Sequence, residues 1–190
     1  MLDTLMNLVR QSSGDAVINN PEIPNEQNNV ALEAIQNGIF GGLQQQAQGG
    51  NLGGLMGMVM GQGSGQQTQV VQGVEQNVQQ NLMQRLGISP QVATSIAAVV
   101  VPMVLNKLMN KAQDPNDPSV SQNDILGAAT GKQGVDWMGA ASSAMADGRL
   151  DMGDLMRVAG GMMGGGSSSG NSQQSGGGLG GMLGGLFGGK

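Results

Sequence analysis

Apolar positions recur at helical spacing along most of the chain, most densely in SPQVATSIAAVVVPMVLNKLMNK, residues 89–111. Val92, Ile96, Val99 and Met103 form one stripe there, and Val100, Val104 and Leu108 form the next. A helix apolar nearly all round belongs inside a protein, so this stretch is expected to be the buried central helix. Ser89 suits the N-cap and Pro90 the first helical position, where a missing N–H costs nothing. Lys107 and Lys111 fall in the last turns, where the helix dipole favours cations. Pro102 should kink the helix, at a cost of roughly 3 kcal/mol that packing must offset.

Around this stretch the pattern predicts shorter helices. The first covers 3–13, with Leu2, Leu5, Met6 and Val9 at helical spacing. After the turn Asn19–Pro24, a second starts near Asn25 and ends near Ala47. It carries Val30, Ala31, Ala34, Ile35 and Phe40 inward, while Gly38, Gly41 and Gly42 loosen its later half. In GGNLGGLMGMVMGQGSG, residues 49–65, Leu52, Leu55, Met56 and Val59 fit a helix face. The interleaved glycines cost roughly 1 kcal/mol each, so this helix is expected to exist only when packed. A Gln-rich helix over 69–86 places Val71, Val74, Val78, Leu82 and Leu86 on one side, and Gly87 stops it. Asp114–Pro118 is a turn, and Ser121 with Asp124 forms a shortened capping box for a helix ending near Gly131. Two more helices are expected at 133–146, around Trp137, and at about 152–163.

The fold class is therefore all-α: a multi-helical orthogonal bundle of about seven or eight helices with a Gly-rich disordered C-terminal tail. Its expected parts are an N-terminal segment 1–65, a core 66–163 around the 89–111 helix, and a tail 164–190.

Composition narrows the chemistry. There is no Cys, His or Tyr, which removes disulfides, thiolate and imidazole nucleophiles, and the usual zinc sites. With aromatics at 2%, the core must come from Leu, Ile, Val and the 15 Met, a residue that fills gaps adaptably. The net charge of −5 argues against binding a phosphate backbone. The opening MLDTLMNLVRQ lacks a signal-peptide pattern, and the run Ile96–Leu105 is too short to span a bilayer. A cytoplasmic protein without a transmembrane segment is expected.

Four candidate sites follow. The segment LMQRLGIS, residues 82–89, followed by a helix, has the form of a helix-turn-helix unit. The second helix has Gln91, Thr94 and Ser95 but no Arg, so a helical hairpin is the simpler reading. Asp147, Asp151 and Asp154 match the later half of an EF-hand loop, with Gly148 at the turn. Ser143 and Met145 stand where the first carboxylates should be, so calcium is an alternative rather than the leading reading. For catalysis, the 13 carboxylates form no marked pair, serines have no His base, and the Gly-rich runs lack a phosphate-loop Lys. A non-enzymatic protein without a cofactor is expected. Finally, SGGGLGGMLGGLFGGK places Leu179, Met182, Leu183, Leu186 and Phe187 at i, i+3, i+4, i+7 and i+8. Gly180/Gly184 and Gly181/Gly185 are spaced for close helix approach. Leu52, Leu55 and Met56 lie in a near echo of the same pattern.

In order along residues 2–131, the chain resembles a bacterial family known as domain of unknown function 937, related to YidB-like proteins. The resemblance rests on LMNLVRQ, NNPEIPNEQN, GGNLGGLMG, RLGISPQVA and DPNDPSVSQNDILGAATG. It implies an all-helical fold of small multi-helical units and no known activity. It also implies a better EF-hand-like acidic stretch in some members, from which this chain departs at Ser143 and Met145.

The function expected from these readings is structural: a protein-interaction module that self-associates through Met-, Leu- and Gly-rich helices. The contacts are Leu179, Met182, Leu183, Leu186 and Phe187, with Leu52, Leu55 and Met56 as their internal counterpart. A divalent-cation-responsive module and, less favoured, a DNA binder are the alternatives.

Overall fold

The structure, a computed structural model, describes residues 1–61, 65–139 and 142. The chain divides into two units, Met1–Gly148 and Arg149–Lys190, and the described residues all lie in the first. They form an all-α, multi-helical bundle. Six α-helices are present among them: α1 (Leu2–Ser12), α2 (Asn28–Gln48), α3 (Leu52–Val59), α4 (Gly65–Leu86), α5 (Pro90–Gln113) and α6 (Gln122–Thr130). A π-helical turn at Gly14–Ile18 and a 3-10 turn at Asn25–Gln27 join α1 to α2. Of the helix expected at 133–146, residues 133–136 are turn and coil, with Gly134 at φ 80°, and helix begins at Trp137. Residues 140, 141 and 143–146, and the helix expected at 152–163, lie outside the described residues.

The topology brings α1, α3, α4 and α6 each against both α2 and α5. The most intimate pair is α2 with α4. One side of α4 carries Val70, Val74, Val78 and Leu82, all fully buried, whereas Val71 is only half-buried. The inward stripe thus begins at Val70 rather than at the expected Val71. Against it, α2 presents Gly38 and Gly42. A Cβ on Gly38 would stand 2.6 Å from the Cα of Val78, and one on Gly42 would stand 2.8 Å from the Cα of Val74. The two backbones approach because neither glycine has a side chain. Expected to loosen the helix, these glycines are what lets α2 seat on α4. The boundary expected at residue 65 is crossed by this packing, since α2 precedes it and α4 follows.

Helix ends follow the local chemistry. Ser89 Oγ accepts from the Val92 N–H at 3.4 Å at the start of α5. At α6 both halves of the capping box are present: the Asp124 N–H donates to Ser121 Oγ, and the Ser121 N–H donates to Asp124 Oδ2. Gly131 ends α6 at φ 71°, a conformation that favours glycine. Between α5 and α6, Asp114 Oδ1 accepts from the Asn116 N–H and Asp117 Oδ1 from the Ser119 N–H, which closes the expected turn.

The long apolar helix departs from expectation. α5 runs as one helix through Pro102. Ile96, Val100, Val104 and Leu108 are buried, but Val99 is 50% and Met103 is 40% exposed. It is therefore not enclosed all round, because α1 and α4 flank it and leave one face open. Val30, expected inward on α2, is also exposed.

Candidate interaction surface

The open face of α5 runs through Gln91, Thr94 and Ser95, then Ala98 and Val99, then Met103, and ends with Asn106 and Asn110. All of these are exposed, none carries a charge, and the middle of the row is apolar. Half-buried Pro102 lies beside it. By length and composition this helix meets the requirement for crossing a membrane, which the short run Ile96–Leu105 did not suggest; half of the qualifying window is buried inside the bundle.

A cleft of about 190 Å³ borders this face, where Gln72, Glu75 and Gln79 of α4 meet Thr94 and Ala98 of α5. Burial pushes the Glu75 carboxyl above its ordinary range. Among the described residues Glu75 is the one charged group in the cleft, and the Thr94 hydroxyl beside it donates to the Pro90 carbonyl.

The Leu/Met block is placed differently from the outer face of α5. α3 is seated among α2, α4, α5 and α6. Leu55 is fully buried and Met56 is 6% exposed; Leu52 is half-buried. The Val59 carbonyl at its end accepts from Gln113 Nε2 at 3.2 Å and from Gln122 Nε2 at 3.1 Å. As folded, Leu55 and Met56, expected as the internal counterpart of the tail, are core residues packed within their own chain. The tail residues Leu179, Met182, Leu183, Leu186 and Phe187 lie outside the described residues, as do Asp147, Asp151 and Asp154.

The remaining carboxylates serve the turns. The Lys111 ammonium pairs with Asp117, and with the Ser119 bonds it holds that carboxyl far below its ordinary range. The hydroxyl and then the N–H of Ser121 depress Asp124. The Gly139 N–H and then the Asn123 amide depress Asp136. Each is held by donors from its own turn or from the neighbouring turn, which is the capping role of a carboxylate. Among the described residues no group of three or more His, Cys, Asp or Glu could hold a metal ion. The hairpin α4–Gly87–α5 has the helix-turn-helix order, with Gly87 at φ 68°. Its second helix offers the uncharged face just described.

Sequence reasoning found α5 but missed its open face. The signal was present in Gln91, Ser95, Asn106 and Asn110, which line up with Val99 and Met103 around the helix. Compared with known proteins, the chain matches no family model, no curated protein and no solved structure.

Proposed function

We propose that this is a non-enzymatic protein that works by associating with copies of itself. The observation that carries the reading is the outer face of α5, an uncharged helix face with half-exposed Val99 and Met103 at its centre. Exposed apolar rows of this kind, rimmed by polar residues, are a usual mark of protein contact. The Leu, Met and Gly pattern of the tail, with Leu179, Met182, Leu183, Leu186 and Phe187, supplies the second contact element, in a helix-in-groove mode. The net charge of −5 weighs against nucleic acid as the partner. Kinship with the YidB-like family, on the order of the motifs along residues 2–131, belongs to the same proposal and adds no activity to it.

Sedimentation velocity over a wide concentration range, on the full chain and on one ending at Met163, tests the reading. Larger species that grow with concentration in the full chain are the expected result. A full chain that stays monomeric throughout would refute self-association.

A further inference from the structure

Resting on the self-association reading, we infer that residues 179–187 of one copy dock on the outer face of α5 of another, with Gly180 and Gly184 seated over Val99 and Met103. The template lies inside the fold. On α4, Val74 and Val78 form a ridge of two large side chains one turn apart, and α2 covers it with Gly38 and Gly42 at the same spacing. On α5, Val99 and Met103 form a second ridge with that spacing, and it is open.

The tail carries two glycines at the same spacing, with its large apolar residues on the opposite flank. In α2 each glycine is followed by a large apolar residue, Ile39 after Gly38 and Leu43 after Gly42, and both are buried. In the tail, Leu179 and Leu183 precede Gly180 and Gly184. On a helix, Gly180, Leu183, Gly184 and Phe187 fall within an arc of about 100°, which puts the two glycines on the seam with Leu183 and Phe187 at its side. Because the glycines lack side chains, Val99 and Met103 meet backbone, and Leu183 and Phe187 fill the flanks.

Electrostatics agree. Residues 179–187 contain no charged side chain, and neither does the exposed row from Gln91 to Asn110. The residues under the docked segment are therefore uncharged, with Glu75 of α4 and half-buried Lys107 of α5 beside the face. The contact joins unlike surfaces, tail to α5, so a joined pair of copies keeps one free tail and one free ridge. Such head-to-tail contacts extend into open chains unless the rotation happens to close a ring.

The test uses the full chain in two ways. In sedimentation velocity, Val99→Asp with Met103→Asp on the ridge, and separately Gly180→Val with Gly184→Val on the tail, are each expected to abolish the larger species. The combined variant should lose no more than either alone. Circular dichroism confirms that the ridge variant keeps its helices. Because the chain has no cysteine, a Val99→Cys copy mixed with a Leu183→Cys copy should yield a mixed disulfide dimer under mild oxidation. Glu33→Cys, on the exposed side of α2, is the control that should not. Association that survives both sets of changes would overturn this inference while leaving self-association standing. A Val99→Cys/Leu183→Cys chain that closes on itself as a monomer would overturn docking between copies. Absence of larger species in the unmodified chain would instead remove the underlying reading.

Discussion

Helices α2 and α5 are close in length, 21 and 24 residues, and the four helices α1, α3, α4 and α6 pack on both. Their outer faces differ. The solvent side of α2 shows Asn29, Glu33, Asn37, Gln45 and Gln48, with Val30 as its apolar exception. The solvent side of α5 shows Ala98, Val99 and Met103 between polar ends, Gln91, Thr94 and Ser95 on one side and Asn106 and Asn110 on the other. α2 is thus amphipathic in the ordinary sense: Ala31, Leu32, Ala34, Ile35, Ile39 and Leu43 are buried, and Phe40 is half-buried. α5 has more apolar surface than the bundle can cover. Total hydrophobicity therefore does not rank helices by depth. What brings α2 so close to α4 is the absence of side chains at Gly38 and Gly42, and what leaves α5 open is that no helix among the described residues lies over Val99 and Met103. The self-association proposed above rests on this apolar excess.

Several substitutions would break or sharpen this contrast. The largest effect is expected where α2 meets α4. Gly38→Val with Gly42→Val forces side chains into the α4 backbone, and overpacking at roughly 1–3 kcal/mol per site would remove much of the ~5–15 kcal/mol typical of a whole domain. Urea unfolding should show a collapsed midpoint or no folded baseline; a midpoint close to the parent's would mean that the backbones separate cheaply. Next comes Leu55→Ala in α3, between the two helices. Loss of a fully buried side chain should cost about 3 kcal/mol. A cost near zero would show that α3 is not held in its seat.

A smaller effect is expected at the start of α6. Ser121→Ala removes a cap and should cost about 1 kcal/mol. The same site carries a pH signature. Asp124 is held below its ordinary range when folded, so its contribution is present above the unfolded value and fades as pH falls through the depressed folded value. Asp124→Asn should flatten part of the acid limb of the stability profile, with Asp117 and Asp136 still contributing theirs. An unchanged acid limb would count against the box. The smallest effect is expected on the open face of α5. Val99→Ser should move stability by no more than about 0.5 kcal/mol, because the residue is already half in water. A loss of several kcal/mol would mean that this face is covered within the chain.

Much of the fold was legible in the residues. Ser89 with Pro90, Ser121 with Asp124, and Gly131 mark helix ends by local chemistry, which requires no knowledge of neighbours. The apolar residues of α3, Leu55 and Val59, are buried as their spacing implied. The open side of α5 was not legible, because its periodicity names the apolar positions without saying how many helices remain to cover them. The role of Gly38 and Gly42 was hidden for the opposite reason: a glycine penalised by helix propensity is favoured once a second helix lies against it. For the contact surface, only the residue types could be read. That Leu55 and Met56 are enclosed while Val99 and Met103 are open depends on tertiary packing.

The packing of α1 against α5 sets a timetable for the nascent chain. Thr4 Oγ1 donates to the Ser119 carbonyl, across 115 positions of sequence. Leu5, Leu8 and Val9 of α1 are buried in the finished bundle. At synthesis rates of about 5–20 residues per second, α1 leaves the ribosome roughly 5–20 s before the end of α5 does. Over that interval α2 is the surface against which these three side chains find shelter, and the N-terminal helix is locked from both sides only after α5 has followed.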